Sequence, residues 1–145
     1  MKYLKKYRGL IALVVMALLL ASYFHVSGSD IVGVSDVTDS CTVTVAKYQV
    51  LEYEDRVEYT LNAEQIQQLK KLILESDFTR VLASTVYSEE RDMYDIRIDF
   101  NDGQRFLAIH CFANEYITVT DQFDGKHLKI NNPDWEVELE SILAK

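Results

Sequence analysis

The chain has 145 residues, 23 acidic and 15 basic side chains, a net charge of −8 and two cysteines. About a hundred residues beyond its hydrophobic start are enough for one core and too few for two domains. Because nucleic-acid binding requires a basic footprint, this acidity excludes nucleic acid as an expected partner.

The first 26 residues have the pattern of an export or membrane-insertion signal. Four basic residues and no acid lie within residues 1–9, and residues 10–21 form an unbroken apolar run. The run continues more weakly to residue 26, a length between that of a signal peptide and that of a spanning helix. We expect a single-pass signal anchor in the cell membrane through residues 10–26, with a cleaved signal peptide and secretion as the alternative. In both cases the remaining chain is extracytoplasmic.

Residues 27–40 are rich in Ser, Asp and Gly and show no sustained hydrophobic period. This composition is typical of a flexible polar linker. The division into a signal segment (1–26), a linker (27–40) and a single extracytoplasmic α+β domain (41–145) follows from it.

The first half of that domain predicts a hairpin and a helix. Residues 42–50 and 56–61 alternate between apolar and polar side chains, which favours two strands with an acidic tip at residues 52–55. Asn62 and Gln65 have the spacing of a capping box, so a helix is expected from this point. Residues 78–87 fit either a strand or an extended crossover.

Residues 93–120 predict an antiparallel meander. Asp102-Gly103 favours a two-residue turn, which would pair Ile98 with Leu107, Ile96 with Ile109 and Tyr94 with Cys111. A second turn at residues 112–114 would set Ile109 against Ile117, and residues 126–130 would add a fourth strand.

The last element is predicted to be a helix with Asn132 as its N-cap and Pro133 at its first position. Trp135, Leu139, Ile142 and Leu143 then share one face. The predicted fold is α+β: an antiparallel sheet of about five or six strands, with two helices packed on one face and the other face wet.

The strand pattern directs both Cys41 and Cys111 towards the core. Because an exported domain meets an oxidising environment, we expect a Cys41–Cys111 disulfide, with two buried thiols as the alternative. The bond would close most of the domain and stabilise it by about 4 kcal/mol.

The sequence contains no catalytic, cofactor or metal-binding motif. His110 and Cys111 are adjacent in a strand and point to opposite faces, so they cannot form a dyad. The acidic residues Glu89, Glu90 and Asp92 lack the spacing of a calcium loop. We therefore expect no catalytic residue, no cofactor and no metal.

Four residues remain as contact candidates: Tyr53 and Phe123 at loop tips, and the pair Asp95 and His110 on the wet face of the sheet. The predicted function is a membrane-tethered or secreted interaction or sensing module, without enzymatic activity, that contacts a protein or cell-envelope component. The alternatives are a small secreted hydrolase that uses carboxylates, or an inhibitor or immunity-type protein acting on an exported enzyme.

Overall fold

The computed structural model describes residues 7–49, 56–81, 92–112, 115–120 and 125–145. Within these residues, one antiparallel sheet of eight strands and three α-helices confirm the predicted α+β class. The helices are α1 (Arg8–Phe24), α2 (Ala63–Glu75) and α3 (Trp135–Leu143). The strands are β1 (His25–Ser27), β2 (Thr42–Gln49), β3 (Val57–Thr60), β4 (Asp77–Arg80), β5 (Asp92–Asp99), β6 (Phe106–Phe112), β7 (Tyr116–Thr120) and β8 (Gly125–Ile130).

The strands lie in the order β1-β4-β8-β7-β6-β5-β2-β3. The prediction of five or six strands was too low, because β1 was not recognised and β4 was left ambiguous. β1 has three residues and β4 has four, too few for an alternating pattern to stand out from their neighbours. Both pair through their backbones at one edge of the sheet.

The register of the β5–β6 hairpin is the predicted one, with Tyr94 opposite Cys111 and Ile96 opposite Ile109. The predicted β6–β7 register was wrong: Ile109 lies opposite Val119, not Ile117. The difference is a shift of two residues, which keeps every side chain on its face. Hydrophobic alternation therefore specifies the face but does not distinguish registers two residues apart.

One face of the sheet packs against α2 and α3 and forms a continuous core. Asn62 and Gln65 make the predicted capping box, each side chain accepting the other residue's backbone N–H. The last helix begins at Trp135, later than predicted, and the Asn132 side chain instead accepts the N–H of Asp134 (3.0 Å). The four apolar residues predicted to share a face of α3 are all buried.

Residues 27–40 differ from the flexible linker that their composition predicted. Ile31, Val34 and Val37 are buried in the core. Two 3-10 turns, Gly28–Asp30 and Val34–Asp36, shape this segment. The N–H groups of Val34 and Val37 donate to the carbonyls of Ile31 and Val34, which closes successive tight turns in this segment. The Lys70 ammonium fixes the segment by donating to the carbonyls of Ser35 and Val37, both at 2.8 Å.

A single row of side chains crosses the helix-covered face of the sheet through six neighbouring strands. Strand pairing sets each member opposite the next, and a cation stands at each end of the row. In order from β4 to β2, the row is Arg80, Leu128, Ile117, Cys111, Tyr94 and Lys47.

Helix α1 covers most of the predicted anchor segment and has no buried residue. Leu13 and Leu18 are 60% and 65% exposed, and α1 meets the domain at β1 and β4. No helix in the described residues combines the length and hydropathy needed to cross a bilayer, so the predicted spanning anchor is not supported.

Candidate functional site

A cavity of about 330 Å³ lies between the C-terminal end of α1 and the sheet edge formed by β1 and β4. Tyr23 and His25 line one side, and residues 30–32 line another. Val119 and Leu128, from the helix-covered face of the sheet, complete the lining. The size is within the range of small-molecule sites, and the lining combines apolar surface with a few polar groups.

Arg80 is the cation of this cavity. It has the same orientation as the buried Phe78 in β4, and lies opposite Leu128. Its guanidinium lies over the Tyr23 ring, 4.6 Å from the ring centroid. Its Nε is buried and has no hydrogen-bond partner, and no ion pair among the described residues includes it.

Two described acids at this end of the sheet, Asp30 and Asp77, already have partners. Asp30 lines the cavity, but its carboxylate accepts the backbone N–H of Ser27 at 2.9 Å in a capping box. Asp77 lies 3.7 Å from the His25 ring nitrogen. Among the residues that the structure describes, the Arg80 guanidinium in this cavity therefore has no carboxylate partner.

A second polar cluster surrounds Lys47 at the other end of the core-facing row. The ammonium lies 2.9 Å from Asp92 and 2.5 Å from Glu140 of α3, and Tyr94 donates to the same Glu140 carboxylate. Burial alone would lower the pKa of Lys47, but the hydrogen bonds and charges of the two carboxylates outweigh it and raise the pKa. Burial and then Glu140 raise the pKa of Tyr94.

The carboxylates of this cluster are held ionised. The hydrogen bond from Lys47, followed by that from Tyr94, lowers the pKa of Glu140. Burial opposes ionisation of Asp92, yet hydrogen bonds from Lys47 and Gln49 lower its pKa as well. General acid catalysis near neutral pH requires a carboxyl with a raised pKa, and neither of these two groups has one.

Asp95 and His110 meet on the open face, as their predicted register requires. His110 Nδ1 lies 2.7 Å from Asp95 Oδ1, and this hydrogen bond raises the pKa of His110 against the opposing effect of burial. On the same open face, Thr118 lies opposite His110, and its hydroxyl is 2.9 Å from the ring of His127 on the next strand. The side chain of His110 is 41% exposed, so the pair lies on the surface and outside the cavity.

The predicted disulfide was wrong, because Cys41 and Cys111 are free buried thiols. Cys111 is level with Lys47, six residues along β2 from Cys41 and two strands away. The separation is about 20 Å, far beyond the reach of a disulfide. Both side chains do point to the core as predicted, and burial raises the pKa of the Cys111 thiol.

The remaining predicted contact residues, Tyr53 and Phe123, lie outside the described residues. No group of three or more metal-ligating side chains occurs in the part of the chain that the structure describes. Sequence reasoning missed Arg80 and Lys47. The signal for Lys47 was present, because it shares the orientation of Val43 and Val45 along β2; for Arg80 it was weak, since β4 has only four residues.

The chain shows little similarity to the known proteins with which it was compared. No protein-family model matches the chain, and a search of curated proteins finds no match. Among solved structures, a Clostridium perfringens protein described as a "putative lipoprotein" aligns with a TM-score of 0.48 and 17% sequence identity. The alignment covers 82% of this chain and 94% of that protein.

Proposed function

We propose that the protein is a membrane-held extracytoplasmic binding module without catalytic activity, with α1 in the apolar phase and the acidic α+β domain outside the cell. The observation that carries the proposal is the surface of α1. Residues 9–24 contain no charged side chain, and no residue of the helix is buried against the domain. A contiguous apolar surface of this kind in water marks a membrane or partner contact.

The orientation follows from charge. Lys2, Lys5, Lys6 and Arg8 precede the apolar segment, and all 23 acids follow it. The basic end stays on the cytoplasmic side of a membrane, which directs the domain outward. Tyr23, at the end of α1 next to the domain, is suited to the interfacial region, where aromatic side chains are enriched.

The junction between α1 and the domain also favours an uncleaved helix. His25 directly follows α1 and begins β1, and Val26 is buried in the core. Cleavage at residues 26–29 would remove β1 from the sheet edge. Cleavage after Ala21 would leave β1 in place and is the form that the secreted alternative takes.

The lowered pKa values of Asp92 and Glu140 leave these two carboxylates unsuited to act as general acids, which counts against the hydrolase alternative at this cluster. The inhibitor alternative depended on the acidic tip at residues 52–55, which lies outside the described residues. No observation on the described residues favours it over a binding module.

Membrane flotation of the full chain tests the proposal. A Leu13→Lys/Leu18→Lys double variant should lose most of its membrane association, while Val57→Lys, at a 49% exposed apolar residue of β3, should keep it. An alkaline phosphatase reporter fused after Lys145 should be active. Membrane association that survives the double variant, or a reporter confined to the cytosol, would contradict the proposal.

N-terminal sequencing of the mature protein distinguishes the two forms. An intact N-terminal segment supports the anchored form, and a start at Ser22 supports the secreted one. A start near Ser29 would contradict the role given to β1.

A further inference from the structure

We infer that the cavity beside α1 binds a phosphate ester, with the Arg80 guanidinium as its principal donor. The inference deepens the proposed function, on which it rests for the position of the cavity at the membrane surface. The chemistry is shared by a phospholipid headgroup and a free phosphate ester such as glycerol 3-phosphate.

The first argument is the state of Arg80. A buried polar donor without a partner costs about 1–3 kcal/mol, more when it is charged. Arg80 Nε is such a donor, and the guanidinium has only the Tyr23 ring against it among the described contacts. Among the described acids, Asp30 accepts from Ser27 and Asp77 lies against His25. An external anion would satisfy the donor that the described residues leave unpaired.

The second argument is the match in geometry. The planar fork of an arginine suits two oxygens of one phosphate, and arginine is preferred over lysine where such bidentate binding occurs. The contact with the Tyr23 ring restrains the Arg80 side chain, which reduces the conformational freedom lost when an anion binds.

The third argument is the mixed lining of the cavity. Ile31, Val32, Val119 and Leu128 give apolar surface within the same volume as Arg80. A phosphate ester with a carbon skeleton can place its phosphate on Arg80 and its alkyl part against this surface. An inorganic anion would leave the apolar part unused.

The fourth argument is position. Ser22 and Tyr23 end the apolar helix and line the cavity directly. If α1 lies in the membrane, its last turn lies at the level where headgroups and aromatic side chains meet. A lipid phosphate would then already lie at the mouth of the cavity. It would not have to approach from solution against the repulsion of the acidic domain.

The experiment uses the full chain, labelled with 15N-arginine, in dodecyl maltoside micelles, which contain no phosphate. The Arg80 Nε–H resonance is followed while glycerol 3-phosphate or phosphatidylglycerol is added, with acetate at matched ionic strength as the control anion. We expect a saturable shift of the Arg80 signal. Saturation by the lipid only, by the soluble ester only or by both identifies the source, and each supports the site.

Arg80→Gln and Arg97→Gln form a matched pair of variants. Arg97 also lies against an aromatic ring, Phe106, but on the open face. Arg80→Gln should weaken binding of the phosphate ester at least tenfold, measured by calorimetry, and Arg97→Gln should change it less than twofold. Absence of a saturable Arg80 shift with both esters, or an equal shift with acetate, overturns the inference.

The titration of the unmodified chain does not depend on whether either variant folds. The outcome is also separable from the proposed function. Failure of the chain to float with membranes, together with saturation by glycerol 3-phosphate, would refute the membrane role and leave the site standing. Normal flotation with no shift at Arg80 would refute the site alone.

Discussion

Gly28 lies directly against the backbone of Ile73: a Cβ at residue 28 would come within 1.7 Å of the Ile73 carbonyl oxygen. The Gly28 N–H also donates to the Ser76 carbonyl at 2.9 Å. The chain that follows α1 is thus packed against the C-terminal end of α2 with no room for a side chain.

Gly28→Ala should destabilise the domain by about 3 kcal/mol, because backbone on both sides of the contact must move. The measurement is urea unfolding of the full chain in maltoside micelles, followed by fluorescence of the buried Trp135. Gly9→Ala is the matched control, since nothing lies within 4 Å of a Cβ there. Equal unfolding midpoints for the two variants would contradict the close packing of residue 28.

Lys47→Met should lower the free energy of unfolding by about 1–2 kcal/mol near neutral pH, because it leaves Asp92 and Glu140 as partly buried, uncompensated carboxylates. The exposed pair of Lys71 with Glu75, 3.9 Å apart, supplies the control: Lys71→Met should cost less than about 0.5 kcal/mol. Both values come from the same urea titrations.

The same cluster gives a pH dependence on the acid side. Asp92 and Glu140 have folded pKa values below their unfolded values of about 4, so their contribution is present above that pH. It is lost as the pH falls through the lower, folded pKa values. Lys47→Met should shrink this acid-side loss, and an unchanged slope below pH 5 would argue against the cluster.

Asp95→Asn should remove a pH dependence on the neutral side. The pKa of His110 is raised when folded, so its contribution is complete below the unfolded pKa of about 6.5 and disappears as the pH rises through the folded pKa. Because the ring is 41% exposed, the effect is below about 1 kcal/mol.

The NMR titration of the His110 ring measures this directly. Its midpoint should fall in Asp95→Asn and stay unchanged in Asp99→Asn, a variant on the same strand and face. If the midpoint is the same with and without the Asp95 carboxylate, His110 and Asp95 do not interact as described.

Thiol titration tests the state of the cysteines. Denatured, unreduced protein should contain two reactive thiols, because Cys41 and Cys111 are too far apart to join. In the native protein, Cys111 should react with iodoacetamide much more slowly than a free thiol does, since burial raises its pKa and blocks access. A count of zero thiols after denaturation would restore the disulfide.

The sequence predicted those parts of the fold that depend on local pattern. The capping box at Asn62 and the Tyr94–Cys111 register follow from spacing that a few neighbouring residues define. Local spacing did not predict the β6–β7 register correctly, because a shift by two residues preserves the hydrophobic face. The burial of Ile31, Val34 and Val37 was not predicted either, because the four apolar residues among positions 31–37 alternate with neither a strand nor a helix period.

The candidate site was harder to predict for a different reason. Arg80 becomes a cavity residue only because β1, far away in sequence, covers the edge of β4 and brings Tyr23 over the guanidinium. No local pattern carries that information. The Asp95–His110 pair was predictable because one hairpin contains both residues.

The row from Arg80 to Lys47 has a consequence for how the two cations act. Five strand spacings of about 4.8 Å place them roughly 24 Å apart, three times the screening length at physiological salt. An anion bound at Arg80 would therefore have little electrostatic effect on the Lys47 ammonium at the other end of the row. The losses in free energy of unfolding from substituting Arg80 and Lys47 together should therefore equal the sum of the two single losses, as for other independent positions.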